Sequence, residues 1–226
     1  MGRANDLVTK RAAVRAFLAS GSAHVLLPVV AILVGLRLVI GGWGRGDVAV
    51  ALAVVILTGF VEWFIHLFVL HAATDAWTSR RLGTGSGHRQ HHLDPPDLQW
   101  LLLPPLDAAI FVVVLGVWSA AWAAPLAWAI GGNVVASTTT AIALAAIGLA
   151  HYEWTHLLAH ATYRPKSRYY SRLARNHRWH HYRNERYWLG VTSNLGDRVL
   201  HTLPANRADV PLSDTARTLT TNRRNG

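Results

Sequence analysis

The chain has 226 residues, enough for one domain, and no cysteine, which excludes disulfide bonds and thiolate metal ligands. Charged residues make up 15% of it, against about 25% in a soluble domain, and 51% are hydrophobic. The net charge of +10 would suit nucleic acid, but long apolar runs favour a membrane protein with no nucleic-acid partner.

The N-terminal half predicts an interfacial segment and two membrane spans. We expect residues 1–22 to form an interfacial segment, in which residues 5–20 combine basic and apolar side chains in a pattern typical of a helix that lies in the membrane interface. Val25–Ile40 is a short span, and we expect its Arg37 to snorkel to the interface. Val48–Leu70 is the second span, with Glu62 and His66 as its ionisable groups.

The C-terminal half predicts two further spans and a polar tail. No side chain is charged from Ala108 to Ala150, and since a crossing needs about 20 apolar residues, this stretch is long enough for two. Pro125 or Gly131-Gly132-Asn133 are the available breaks. We predict an all-α, four-helix transmembrane bundle in residues 23–206 with a helical cap. Residues 207–226 form a polar, mobile tail.

The distribution of basic residues predicts the orientation. Arginines lie in the N-terminal segment, after the second span (Arg80, Arg81 and Arg89) and throughout residues 164–186, whereas the other connections hold only Arg45 opposite Asp47. The positive-inside rule therefore places both termini and the middle connection in the cytoplasm. Aromatic residues interleave with the arginines of 164–186. Beside a span, this favours a cap anchored at lipid headgroups over a nucleic-acid patch.

Ten of the 13 histidines lie in four clusters, which alternate between a pair and a His-x-x-His-His triplet. Two metal ions with roughly five ligands each would use all ten, and neutral imidazole suits iron, copper, nickel and zinc. The predicted topology brings all four clusters to the cytoplasmic face. The candidate ligands are His66, His71, His88, His91, His92, His156, His160, His177, His180 and His181.

Helical periodicity tests these spacings. Residues three or four apart share a face, so the triplets and the second pair can each converge if they are helical. His66 and His71 are five apart and need a π-bulge or a frayed helix end. His151 lies half a turn round the helix from His160. We therefore exclude it from the ligands, together with the isolated His24 and His201.

Two glutamates lie on the ligand faces of their helices. Glu62 comes four residues before His66, and Glu153 three before His156. Ligating histidines usually donate their second N–H to a carboxylate or a carbonyl, so we predict both glutamates as partners that orient the histidines. Asp94 and Asp97 either support the first triplet or shape the turn at the neighbouring prolines.

An all-imidazole shell leaves a dimetal centre its positive charge, which suits O2 activation beside a lipid. Zinc hydrolases use three or four ligands, not ten. A membrane metal transporter or metal sensor is the rival class, but transport sites usually lie near the bilayer midplane. Here the ligands crowd at helix ends and beyond them, which favours an enzyme.

Four stretches in this order resemble the fatty acid hydroxylase superfamily of membrane di-iron enzymes, which also includes sterol desaturases and carotene hydroxylases. The stretches are HLFVLH, HRQHHLDPPDLQWLLLPP, YEWTHLLAH and NHRWHHYRNERYWLGVTSNLGDRVLHTLP. The likeness is greatest to fatty acid 2-hydroxylases. It implies two iron ions on the ten histidines and O2-dependent hydroxylation of a membrane lipid, with zinc as a possible metal after purification.

The resemblance also implies an external electron donor, since many relatives carry a fused cytochrome b5-like domain and only a short segment precedes the first span here. A cytochrome b5-like protein, a ferredoxin or a reductase would serve. Trp100 replaces a basic residue frequent in those relatives, which leaves the headgroup open. The substrate is a fatty acyl chain, a sterol or a carotenoid, and the product is an alcohol or an alkene. The predicted location is a bacterial cell membrane.

Overall fold

The computed structural model describes residues 2–73, 75–77 and 85–219. Within these residues it is helical and contains no β-strand, so the predicted all-α fold is confirmed. The helices are α1 (Lys10–Leu18), α2 (Gly21–Ile40), α3 (Arg45–Phe64), α4 (Ser86–Leu93), α5 (Leu98–Leu101), α6 (Pro105–Ala129), α7 (Val134–His160), α8 (Arg168–Tyr182) and α9 (Leu195–Val199).

Four of these helices, α2, α3, α6 and α7, are long and apolar enough to cross a membrane. The break between the last two falls after α6, where Gly131 takes a φ of +65°. A side chain with Cβ is disfavoured at such an angle. Pro125 lies inside α6 and does not end it. The four predicted spans are therefore confirmed, and the glycines, not the proline, separate the third from the fourth.

The chain forms two compact units. We call Ala16–Thr58 with Leu103–Trp154 the span unit, and the described residues of Met1–Arg15, Gly59–Leu102 and Thr155–Gly226 the histidine unit. One small apolar core of the span unit joins Leu26, Ala108 and Leu149, each buried, and another joins Val50, Ala123 and Ala141. Large aliphatic side chains such as Val39, which is 85% exposed, point outward, as expected for helices surrounded by lipid.

Arg37 does not snorkel to the interface, contrary to the prediction. It is only 3% exposed, and its Nη2 lies 2.7 Å from Asp47 Oδ1. Thr140 Oγ1 donates to the same carboxylate oxygen at 2.6 Å. Asp47 therefore does not pair with Arg45, which instead donates to the Gly131 carbonyl at 3.2 Å. A buried arginine at this depth is tolerated because a carboxylate compensates its charge.

The N-terminal segment forms a shorter helix than predicted, since α1 covers only Lys10–Leu18. Its apolar side packs inside the protein: Ala13 is fully buried, and the Phe17 ring meets the Trp154 ring edge-on at 5.7 Å. Leu18 is 49% exposed. The segment therefore has the predicted amphipathic helix, but much of the apolar face covers protein.

The prediction of a mobile tail is wrong for the residues up to Leu219. Ala216 is 3% exposed and Leu219 6%. Arg217 donates to the carbonyls of His92 and Leu93, at 3.0 and 2.7 Å. These bonds hold the segment against α4. Residues 220–226 lie outside the described residues, as do Arg80 and Arg81, which contributed to the predicted orientation.

Candidate metal centre

The first histidine pair lies on a π-helical turn. After Phe64, α3 continues as a π-helix over Ile65–Leu70, and the N–H of His71 donates to the carbonyl of His66 at 3.0 Å. This bond spans five residues, the repeat of a π-helix, which brings side chains five apart onto one side. Of the two alternatives left open by the spacing, a π-bulge or a frayed helix end, the structure has the π-bulge.

The other three clusters lie on α-helices, as their spacings predicted. The first triplet lies on α4, the second pair in the last turns of α7, and the second triplet near the end of α8. Ser167 caps α8 by accepting the N–H of Tyr170 at 3.3 Å. Gly85, at a φ of +82°, precedes α4, and a Cβ there would lie 2.9 Å from the Leu70 carbonyl oxygen.

The ten histidines form two groups of five, and in each group the nearest ring nitrogens all lie within 4.8 Å of one another. The three histidines of each triplet do not all belong to the same group. His91 belongs to the second group, although the rest of its triplet belongs to the first, and His180 belongs to the first group, although the rest of its triplet belongs to the second. Group one is His66, His71, His88, His92 and His180. Group two is His91, His156, His160, His177 and His181.

The spacing of the ring nitrogens suits a metal better than mutual hydrogen bonding. His88 Nε2 lies 3.2 Å from the Nε2 atoms of both His71 and His92. His91 Nε2 lies 3.1 Å from those of both His156 and His181. A ring nitrogen has one proton or one lone pair, so it cannot bond two such neighbours. Nitrogens that ligate one zinc-like ion at right angles lie about 3.0 Å apart, because each is about 2.0–2.1 Å from the metal.

Backbone carbonyls hold the far side of several rings. The Nδ1 atoms of His66, His92 and His180 lie 2.6, 2.7 and 2.9 Å from the carbonyl oxygens of Leu189, Ala216 and Tyr187, respectively. Likewise, the His156 ring bonds to the Leu101 carbonyl. An Nδ1–H that donates to a carbonyl leaves the Nε2 lone pair free for a metal.

Burial keeps these imidazoles neutral. It lowers the pKa of His92 from 6.5 to about 3, and neighbouring imidazoles add to the effect. For the other histidines beyond the spans, burial is again the largest cause, and it lowers the pKa well below 6.5: His71, His88, His91, His177, His180 and His181. Neutral imidazole is the form that binds a metal.

The two predicted glutamate partners bind elsewhere, so the prediction that they contact histidines is wrong. Glu62 accepts the backbone N–H groups of Val191 and Thr192 at 3.2 and 2.9 Å and also the Thr192 hydroxyl. Glu153 accepts the Leu103 N–H at 2.8 Å and bonds to the Ser22 hydroxyl. Glu153 is 1% exposed and Glu62 is partly buried, and both carboxylates accept hydrogen bonds from backbone N–H groups.

Asp197 supports the site in a way that the spacing analysis missed. It is fully buried, and its carboxylate accepts the N–H groups of Leu189 and Gly190 at 2.9 and 2.7 Å and the Thr202 hydroxyl at 2.6 Å. Burial raises its pKa, and these hydrogen bonds oppose that rise. Asp197 therefore fixes the segment whose Leu189 carbonyl holds His66. An aspartate far in sequence from the ten clustered histidines gives no signal of this role.

The remaining sequence candidates lie outside both groups. Asp94 forms a bidentate ion pair with Arg3, at 2.7 and 2.9 Å, and Asp97 caps α5 by accepting the Gln99 N–H. Asp97 therefore serves the turn, the second of the two predicted roles, whereas the Asp94 carboxylate pairs with the N-terminal segment and has neither role. The three histidines excluded by phase or isolation, His24, His151 and His201, belong to neither group.

Comparison with known proteins agrees with this geometry. Residues 50–202 match the family model described as fatty acid hydroxylase. A human fatty acid 2-hydroxylase is 30% identical over 149 residues, 65% of this chain and 37% of the relative. An Arabidopsis thaliana dihydroceramide fatty acyl 2-hydroxylase is 30% identical over 155 residues, 66% of this chain and 58% of the relative.

The chain thus spans between a third and three fifths of the length of these relatives. No solved structure matches it. The family model covers more than half of the chain, including all ten clustered histidines. The resemblance inferred from the ordered histidine motifs is therefore confirmed, and the chain belongs to the fatty acid hydroxylase family.

Proposed function

We propose that this protein is an O2-dependent di-iron monooxygenase that hydroxylates a C–H bond of a membrane lipid. The observation that carries the proposal is the pair of five-imidazole groups in a family of lipid hydroxylases. The stoichiometry is one lipid, one O2, two electrons and two protons, which give one alcohol and one water.

The residues fit two metal ions of the iron or zinc type. Each group offers five neutral nitrogens and no carboxylate. Imidazole binds iron and zinc alike, and iron suits the redox step that zinc cannot perform. Two bound irons would supply O2 activation, which no side chain of the protein can provide.

The protein's own contribution is orientation and charge. The carbonyls of Leu189, Ala216 and Tyr187 fix three rings of group one with their Nε2 atoms free. Neutral ligands leave the positive charge of the centre uncompensated, which favours binding of oxygen-derived anions. In this proposal the carboxylates of Glu62 and Glu153 accept backbone N–H groups, and no separate catalytic base is needed.

We further propose a fatty acyl chain as the substrate, because the relatives named above act on fatty acyl groups. The pairs lie at the ends of α3 with its π-turn and of α7, two apolar helices, so a lipid in the bilayer is within reach. A separate protein, such as a cytochrome b5-like carrier, a ferredoxin or a reductase, supplies the electrons. The positive-inside pattern puts the site on the cytoplasmic side.

The test is lipid mass analysis of membranes from cells that express the protein under 18O2. We expect a lipid that gains one labelled oxygen atom. Both His91→Ala, in group two, and His180→Ala, in group one, should abolish the product. His24→Ala is the matched control, because His24 is exposed and lies outside both groups.

Other outcomes point to the rival functions. Loss of two hydrogens without gain of oxygen would identify a desaturase, and a labelled sterol or carotenoid would replace the acyl substrate. Metal uptake into vesicles with no change in any lipid would favour a metal transporter. A hydroxylated lipid whose new oxygen atom comes from water instead of O2 would refute the proposed monooxygenase reaction.

A further inference from the structure

A second polar site lies in the histidine unit, apart from the ten clustered histidines. It is a cavity of about 550 Å³ whose walls include Arg172 and Arg175 of α8 and Arg198 of α9. Its volume lies within the range of about 300–1,000 Å³ typical of small-molecule sites. None of the ten clustered histidines lines it.

The three guanidinium groups have no anionic partner in the part of the chain that the structure describes. Neither of the two salt bridges found there involves Arg172, Arg175 or Arg198, and no aspartate or glutamate lines the cavity. Arg172 and Arg175 are three residues apart on one helix, so they share a face. Like charges on one face repel one another, and an anion bound between them would offset that repulsion.

Part of the cavity wall is formed by two buried asparagines and a packed tryptophan. Asn176 and Asn194 are 4% and 8% exposed, and Asn176 Nδ2 donates to Asn194 Oδ1 at 3.3 Å. Trp179 packs against the fully buried Trp188, with ring centroids 5.4 Å apart. The Arg175 guanidinium lies over the Trp179 ring at 4.9 Å. The Arg175 guanidinium is therefore held over a packed ring, whereas Arg172 and Arg198 are exposed beside this wall.

From this arrangement we propose that the cavity binds a phosphate-bearing anion. Guanidinium groups match phosphate oxygens in bidentate geometry, and three of them can neutralise a doubly charged group. The cavity exceeds the size of a lone phosphate, so the ligand is an organic phosphate, with room beside the indole of Trp179. The ligand is either a soluble phosphate compound or the headgroup of an anionic phospholipid, and the site is independent of the proposed hydroxylation.

The experiment uses the metal-loaded protein in maltoside micelles, which contain no phosphate. Pyrophosphate is titrated in by calorimetry, and in a second arm the protein is incubated with phosphatidic acid and the retained lipid is measured by mass spectrometry. We expect Arg172→Ala with Arg175→Ala to weaken binding about tenfold or more, since hydrogen bonds to charged groups are lost.

The matched control is Arg168→Ala with Arg186→Ala, which removes the same charge from two exposed arginines outside the cavity. It should change binding less than twofold. If the cavity double variant weakens pyrophosphate binding, the ligand is a soluble phosphate compound. If it reduces only the retention of phosphatidic acid, the ligand is a phospholipid headgroup. Equal weakening by both double variants, or no binding in either arm, would overturn the proposal. Unchanged metal content and thermal unfolding show that the variants are folded.

Discussion

Replacing His180 with alanine should remove the metal of group one and leave group two loaded, whereas replacing the next residue, His181, should do the reverse. Adjacent residues on α8 serve different groups, because each triplet divides between the two. His180 provides one of five nitrogens, and the Tyr187 carbonyl orients its ring at 2.9 Å. His181 Nε2 instead lies 3.0 Å from His177 Nε2 in group two.

The size of the effect follows from the ligand count. Loss of an outer hydrogen bond to a ligand already weakens metal binding about 10–100-fold, and loss of the ligand itself should weaken it more. Under a chelator that leaves the native protein loaded, the metal content should therefore fall from two ions per chain to one. Elemental mass spectrometry measures the content, and anomalous X-ray scattering locates the remaining ion.

The two variants must lose the metal ion from different groups, and not merely contain less metal than the native protein. If both lost the metal from the same group, the division of the triplets would be wrong. His24→Ala, an exposed histidine outside both groups, should keep two ions. Loss of both ions from both variants would contradict independent groups, and it would instead indicate two coupled sites.

Two further predictions concern buried carboxylates. Asp197→Asn replaces an acceptor oxygen with a donor and leaves a backbone N–H such as that of Leu189 without its charged acceptor. It should therefore lower the free energy of unfolding by about 1.5–3 kcal/mol and weaken metal binding in group one. The exposed Asp214→Asn should change neither thermal unfolding nor metal content, and equal effects of both variants would rule out the proposed support. Arg37→Ala leaves Asp47 buried without its ion pair, so we expect about 3–5 kcal/mol lower stability in detergent unfolding. Adding Asp47→Asn should restore part of the loss, and a more unstable double variant would contradict this explanation.

The local features of the site were predictable from the sequence. Apolar runs of sufficient length identified four spans, and histidine spacings of three and four identified α-helical clusters. The spacing of five between His66 and His71 narrowed the local structure to a π-bulge or a frayed helix end, and the structure has the π-bulge. These inferences succeed because they depend on the geometry of a single helix, which neighbouring residues in sequence determine.

The partners of the buried polar side chains became known only from the packing of the helices and loops. This packing paired Arg37 with Asp47, directed Glu62 and Glu153 to backbone N–H groups, and placed carbonyls behind the histidine rings. Those partners are distant in sequence, and a buried polar group bonds to whichever donor or acceptor the packing brings nearest.

The division of the ten histidines into two groups shows most clearly where inference from the sequence ends and the effect of packing begins. Histidine spacing alone was enough to show that ten imidazoles in four clusters could provide the ligands of two metal ions. The sequence could not show that His91 and His180 belong to a different group from the other two histidines of their triplets. Spacing along one helix does not tell which facing helix lies nearer to each ring. The packing of α4 and α8 with the two histidine pairs assigns five rings to each group.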